Sequence, residues 1–246
     1  MSSKTLTAKQ RLDVFLTRSG LTESRQRAQA LILAGKVQVS GATERRPDRA
    51  VREDEVITVD ESTGYASRGA LKLGPALDTF GVDPAGRVCA DIGASTGGFT
   101  DVLLRRGAAK VFAIDVGRGL LHWRLRQDPR VVVIERVNAR DLESLPDPVS
   151  LVVADLSFIS LEKVLPAVRR AAPEAEVVAL FKPQFEVGKA EVGKGGIVRD
   201  ALIVEAALQR FRTWCAGNGY RVAGEAASEL RGAEGNQEFF FHLAPK

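Results

Sequence analysis

The chain has 246 residues, 45% of them hydrophobic and 27% charged, with a formal net charge of +4. That length exceeds the roughly 100 to 200 residues of a typical domain, so one full-sized domain plus a small one is expected, and the composition excludes a chain disordered throughout. No apolar run approaches the ~18 residues that span a bilayer, MSSKTLTAKQ lacks the apolar stretch of a secretory signal, and two cysteines, Cys89 and Cys215, cannot build a disulfide scaffold; a cytoplasmic protein with reduced thiols is expected.

The charge is unevenly spread. Residues 1–52 hold eleven Lys/Arg against four acids, leaving 24 against 27 for the rest. A basic front on a mildly acidic body suits contact between the front and a polyanion; a solvated basic face is the alternative. Leu12, Phe15 and Leu16 repeat at helical spacing, as do Ala28, Leu31 and Ile32, which predicts two short amphipathic helices. Gly20 stops the first, Thr22 or Ser24 caps the second, and Gly35 ends it. Val37 and Val39, then Val56, Ile57 and Val59, read as short strands with Ser40-Gly41 as a turn between them.

The string RLDVFLTRSGLTESRQRAQALILAGKVQVSG, at the head of roughly residues 9 to 60, resembles the S-four-like RNA-binding module. The resemblance implies a small α+β domain over residues 1–60, with Arg11, Arg25, Arg27 and Lys36 near RNA phosphates. Each neutralised phosphate releases counterions, so several cations on one face bind RNA without reading its sequence. Shape recognition of folded RNA would fit. Any single arginine, Arg18 or Arg52 for example, also reads as a solubility residue.

A short polar linker is expected at residues 61–64, in DESTG, and a second domain over 65–246. There VCADI, KVFAIDV, VVVIE, LVVADL, VVALF and FFFHL alternate with amphipathic stretches, the pattern of a mostly parallel sheet covered by helices on both faces. Ligands then bind at the carboxyl ends of the strands.

The first of these strands runs into DIGASTGGFT, Asp91 to Thr100. Its glycines let a ligand approach the backbone, and a helix starting near Gly97 offers free amides to a carboxylate. The spacing is not that of a dinucleotide fingerprint. It resembles the first motif of Rossmann-like class I methyltransferases, which implies S-adenosylmethionine as cofactor and Asp91, Gly93, Ser95, Gly97, Gly98 and Phe99 around it. Asp115 ends the second strand 22 residues beyond Gly93, where an acid can accept both ribose hydroxyls. Asn138 is a candidate adenine contact, with a turn-forming asparagine as the alternative.

Lys72, Asp155, Lys182 and Glu238 are polar residues at suggestive points, the last three at or beside strand ends; taken singly, Lys72 could decorate a helix, Lys182 be a solvated lysine before a proline and Glu238 begin an edge strand, whereas an acid after Leu-Val-Val-Ala needs a partner. YASRGALKL, DIGASTGGFTDVLL, VVADLSFISL and FKPQFEVGK resemble the TlyA (haemolysin A) family of FtsJ-like ribosomal RNA 2′-O-methyltransferases, over essentially the whole chain. In that class a Lys-Asp-Lys-Glu tetrad surrounds the target ribose, and the matching positions are Lys72, Asp155, Lys182 and Glu238. A ribose hydroxyl is a poor nucleophile and a sulfonium an activated leaving group, so alignment for in-line displacement, with help in removing a proton, is the expected chemistry. Lys182 is expected to steer or deprotonate the hydroxyl; burial and Lys72 favour its neutral form, while Asp155 opposes it. No metal is expected, because His122 and His242 have no ligand spacing around them.

QFEVGKAEVGKGGIVRD carries Gly188, Gly193, Gly195 and Gly196 with Lys189, Lys194 and Arg199, a loop that could close over RNA or be an ordinary surface loop. The partner expected is ribosomal RNA or a ribosomal subunit, with no membrane. Two rival readings are a non-catalytic RNA-binding assembly factor and, from the family's older name, a haemolysin. The intact tetrad counts against the first and the lack of a spanning or strongly amphipathic segment against the second. TlyA-like proteins include a longer form, with extra C-terminal residues, that acts on both subunits. This chain stops at Pro245-Lys246, seven residues after Phe239, so a large-subunit cytidine is the expected substrate.

Overall fold

The computed structural model describes residues 9–22, 24–33, 35–52, 54–59 and 65–246, and its contacts divide the chain into two compact units, Met1–Tyr65 and Ala66–Lys246. The expected linker, 61–64, lies outside the described residues.

In the first unit a short strand, β1 (Gln10–Arg11), leads into α1 (Leu12–Arg18), and α2 (Arg25–Leu33) follows. Ser24 caps α2, its hydroxyl accepting the Arg27 amide at 3.1 Å. Leu12 and Leu16 of α1 and Ala28 and Ile32 of α2 meet in one core with Val37, Val39 and Val51. The strands are β2 (Val37–Val39), β3 (Ala42–Glu44), β4 (Ala50–Val51) and β5 (Ile57–Val59). The Ser40-Gly41 turn departs from expectation in one respect. It joins β2 to β3, with positive φ at both residues, and β5 pairs on the other side of β2. Ala42–Glu44 carries no buried apolar residue, so its strand left no hydrophobic signature to read.

Asp13 of α1 is fully buried. Its carboxylate accepts from Arg11 Nε and Nη2, Arg25 Nε, Gln29 Nε2 and the Val14 amide, at 2.8 to 3.0 Å. Two of the expected RNA-contacting arginines are therefore held side by side by one acid.

The second unit opens with α3 (Ala70–Phe80) and proceeds through β6 (Val88–Ile92), α4 (Gly98–Arg105), β7 (Lys110–Asp115), α5 (Trp123–Arg126), β8 (Val131–Glu135), β9 (Leu151–Ala154) and α6 (Leu165–Ala171). It closes with β10 (Glu176–Phe181), α7 (Pro183–Glu186), α8 (Ala201–Gly217), β11 (Tyr220–Ala227) and β12 (Phe239–Pro245). One seven-stranded sheet has the order β11-β12-β10-β9-β6-β7-β8, parallel from β10 to β8 and antiparallel at β12 and β11. The central strand β9 is buried at every residue, which is why it reads as a continuous apolar run. Behind the β10–β12 pair, Phe181, Phe211 and Phe241 pack with ring centroids 4.8 to 5.6 Å apart. Strand β11 has no counterpart among the expected strands. Its sequence, YRVAGEAA, is poor in bulky residues beyond its start, and only Tyr220 is fully buried.

Arg11, Gln29 and Arg25 hold the Asp13 carboxyl well below the usual carboxylate range. The unfolded chain binds that proton more readily, so this contribution to stability is present above the ordinary aspartate range and is lost as the pH falls through and below it. Asp13→Ala should destabilise the first unit by about 1–3 kcal/mol. Hydrogen exchange on the full chain at neutral pH should show faster exchange of α1 and β2 amides, and unchanged exchange would remove Asp13 from the unit's stability.

Candidate active site

Parallel strands bring their carboxyl ends to one edge of a sheet. Ile92 of β6 lies beside Ala154 of β9, and Ala154 beside Ala179 of β10. Asp155 and Lys182 are the residues that immediately follow β9 and β10. Because β12 runs antiparallel, its start lies at the same edge, with Phe239 opposite Phe181, so Glu238 arrives next to Lys182 along the backbone. The fourth residue, Lys72, comes from α3. Four residues spread over 167 positions thus meet at one mouth.

They meet as two ion pairs. Lys72 Nζ is 2.6 Å from Glu238 Oε2, with side-chain exposures of 13% and 3%. Lys182 Nζ is 2.6 Å from Asp155 Oδ1, at 11% and 24%. Ser157, two residues after Asp155, accepts from Lys182 Nζ at 3.1 Å. Charges so far removed from water persist only when paired. The pairing lets two lysines line one cleft without net charge on the group of four.

A cleft of about 300 Å³ opens on this mouth, lined by Lys72, Asp155, Lys182 and the glycine-rich loop. A larger one of about 790 Å³ adjoins it and shares Gly93, Ser95, Asp155 and Ser157. Gly93 allows the two to join. Its φ is +83°, and a Cβ there would stand 2.6 Å from the Asp155 carbonyl oxygen. Gly98 and Phe99 line the smaller cleft, the Phe99 ring packing on Phe240 at 6.1 Å. Gly97, by contrast, faces Leu121 and Leu125 and lines neither cleft.

Asp91 sits beneath the loop at 1% exposure. Its Oδ2 accepts the Thr100 amide at 2.8 Å and the Thr100 hydroxyl at 2.7 Å, which anchors the first turn of α4, while its Oδ1 is buried without a hydrogen-bond partner. Burial, the larger effect, pushes this carboxyl up to about 7. Asp115 accepts the Ser95 amide at 2.8 Å and the Gly117 amide at 2.7 Å, at the wall of the larger cleft. Asn138 lines the same cleft while its side chain accepts the Arg140 amide at 3.2 Å, so it caps a turn there. An orphaned acidic oxygen at one end and a second carboxylate some twenty residues on suit a ligand with an ammonium group at one end and a sugar at the other.

Glu186, Phe158 and Phe185, like Ser157, were not among the candidates read from the sequence. Glu186, four residues after Lys182, accepts the Leu161 amide at 2.9 Å and so ties the segment after β10 to the segment after β9. Burial pushes its carboxyl up to about 7 as well. Phe158, 90% exposed and at a φ of +66°, stands 5.2 Å from Phe185 on the larger cleft's wall. Lys189 also lines that cleft, whereas Lys194 lines neither. In the first unit, considered by itself, Arg11 and Arg25 share Asp13, Arg27 is exposed and Lys36 is half-buried before β2. His122 caps α5, and among the described residues no group of three His, Cys, Asp or Glu is placed to hold a metal.

The raised Asp91 carboxyl has a consequence for stability. It keeps its proton to about pH 7 when folded, whereas the unfolded chain releases it near 4, so folding stability falls as the pH rises through that window, by up to about 4 kcal/mol. Glu186 acts in the same direction. Asp91→Asn, which keeps an acceptor for the Thr100 amide, should therefore gain stability relative to the parent on going from pH 5 to pH 8. Parallel melting curves across that range would contradict the assignment.

Residues 65–244 match the family model of the FtsJ-like methyltransferases, and residues 10–57 match that of the S4 domain. The chain is 51% identical over 238 residues to the 16S/23S rRNA (cytidine-2′-O)-methyltransferase TlyA of Mycobacterium tuberculosis, covering 95% of this chain and 89% of that protein. It is 38% identical over 179 residues to the 23S rRNA (cytidine-2′-O)-methyltransferase TlyA of Campylobacter jejuni, covering 72% and 70%. The solved structure of a hemolysin-type protein from Streptococcus thermophilus aligns at a TM-score of 0.74 and 39% identity, over 97% of this chain and 89% of that one. With its larger unit matched almost end to end and 95% of its length aligned with the Mycobacterium tuberculosis relative, the chain belongs to the FtsJ-like methyltransferase family, in the TlyA group, and carries an S4 domain at its front.

Proposed function

We propose that this protein methylates the ribose 2′-hydroxyl of a cytidine in 23S ribosomal RNA, with S-adenosylmethionine as donor. The observation that carries the reading is the convergence of Lys72–Glu238 and Lys182–Asp155 beside a cleft that fits the donor. Asp91 Oδ1, buried without a partner beside the loop after β6, would receive the cofactor's ammonium, whose charge favours the ionised carboxylate; the amides at the start of α4 would hold its carboxylate, and Asp115 its ribose hydroxyls. Bound there, the cofactor supplies an electrophilic methyl group on a sulfonium that leaves as a neutral thioether. The chain's own part is to hold the ribose. Lys182 Nζ, oriented by Asp155 and Ser157, holds the 2′-hydroxyl in line with the methyl carbon. For proton removal Lys182 Nζ first gives up its ammonium proton to solvent; as the O–C bond forms the neutral amine takes the hydroxyl proton, and Asp155 stabilises the ammonium so regenerated. Lys72, neutralised by Glu238, completes the wall on the other side.

The S4 domain supplies the RNA contact, through the Arg11–Asp13–Arg25 cluster together with Arg27 and Lys36. Lys189 and Lys194 extend from the loop after α7. Ribosomal RNA is the substrate in the names of both curated relatives above, and 23S is the target common to both.

Two substitutions separate chemistry from binding. Lys182→Ala should lower single-turnover methyl transfer from labelled S-adenosylmethionine to large-subunit RNA by at least about 100-fold, with cofactor affinity within about twofold of the parent's. Asp115→Ala should do the reverse, weakening cofactor binding in calorimetry by about tenfold or more, the worth of a charge-assisted hydrogen bond. Full-rate transfer by Lys182→Ala would remove it from the chemistry. Robust methylation of purified small subunits would overturn the restriction to 23S.

A further inference from the structure

The mouth described above is not the end of the groove. The segment joining β11 to β12 forms a partition with a cleft on each side. On one side Glu238 pairs with Lys72, and Arg231 lines the smaller cleft over the tetrad. On the other side Asn236, Gln237 and Phe239 line a separate cleft of about 560 Å³, whose opposite wall is made by Val204 and Leu208 of α8. That volume lies within the range of about 300–1,000 Å³ that holds small organic ligands. Arg231 lines both clefts.

The partition is built and held. Asn236, 2% exposed, accepts the Val198 amide at 2.9 Å and donates to the Gly196 carbonyl at 2.8 Å, which locks the partition to the segment between α7 and α8. The Gly232 amide donates to the Asn236 carbonyl at 2.9 Å, and Arg231 Nη1 donates to the Gly235 carbonyl at 3.1 Å. One guanidinium nitrogen thus fixes Arg231 while its remaining N–H groups have no protein acceptor among the described residues. Exposed Arg199 lines the far side of the same cleft. Its one acidic lining residue, Glu205, is tied to Arg212 at 2.7 Å, and exposed Glu234 stands near Gly196 at the rim. An apolar floor between two arginines, opening onto the ribose site through one of them, matches a nucleotide's base and its two flanking phosphates.

We propose that this second cleft holds the nucleotide adjoining the target in the same RNA strand. Arg231 binds the phosphate between the two nucleotides, the neighbour's base lies against Phe239, Val204 and Leu208, and Arg199 meets the next phosphate. The inference rests on the reading of the tetrad as the ribose site. It makes the enzyme grip a dinucleotide at the reaction centre and not the reacting nucleotide alone.

The test uses the full-length protein with large-subunit RNA, reading RNA affinity by fluorescence anisotropy and RNA KM in methyl transfer. Arg231→Ala should weaken RNA binding about 5- to 10-fold and lower the salt slope of log Kd by about 0.7–1, one phosphate contact. RNA KM should rise in step while cofactor affinity stays at the parent's value. Arg231→Lys should recover part of the loss. Val204→Trp, which fills the cleft without changing charge, should weaken RNA binding by a similar factor, with unchanged melting and cofactor affinity reporting an intact fold. Parent-like RNA affinity in Arg231→Ala overturns the proposal. So does a loss in Arg231→Ala with none in Val204→Trp, because the arginine would then act as a surface cation beside an empty cleft. If the parent binds RNA with this pattern of losses yet transfers no methyl, the cleft stands as an RNA subsite and the reading of the tetrad falls.

Discussion

Two lysines and two carboxylates, nearly out of water and each lysine 2.6 Å from its partner, are the constraint around which the larger unit is arranged. Any one of these charges left alone would cost several kcal/mol. Removing a single partner therefore disturbs more than the chemistry. The pairing is possible only because of sheet geometry. Parallel β9 and β10 deliver Asp155 and Lys182 to one edge, and the reversal at β12 returns Glu238 to it. A parallel β12 would put Glu238 at the opposite end of the sheet. The antiparallel strand thus assembles the group of four as well as finishing the sheet.

The ligand clefts depend on the same edge. Gly93 lets the loop after β6 approach the Asp155 carbonyl, so the larger cleft and the tetrad mouth share a wall. Glu186 then links the segments that follow Asp155 and Lys182. Since both segments also form the cleft wall through Phe158 and Phe185, one hydrogen bond couples the position of the ion pair to the shape of the cleft. The S4 domain uses a parallel device on a smaller scale, with buried Asp13 holding Arg11 and Arg25 in register. In both units a hidden acid sets where a cation stands.

Much of this was legible in the residues. The buried strands announced themselves as unbroken apolar runs; Asp115 was visible through its spacing from Gly93, and Asp155 because an acid after such a run is costly without a partner. The order of the strands was not legible, since nothing in FFFHL states that β12 runs antiparallel. Strand β11 was lost because Gly224 and its alanines make a poor apolar pattern, and β3 because it has no buried residue. Among the candidate positions, those marked by local spacing were nominated from the sequence, and those that only tertiary contact marks were not. Asp13, Glu186 and Arg231 were not among the candidate residues. Only the fold shows that Asp13 gathers Arg25 and Gln29, that Glu186 ties down Leu161, and that Arg231 stands between two clefts.

The most direct test of the central claim is the chemical identity of the product. Large ribosomal subunits treated with the protein and isotopically labelled S-adenosylmethionine would be digested to nucleosides and analysed by mass spectrometry. An enzyme working through the paired tetrad yields label only in 2′-O-methylcytidine, with the mass shift on the ribose fragment. Label on the base fragment, or in no nucleoside at all, would contradict the role assigned to Lys182 and its three partners.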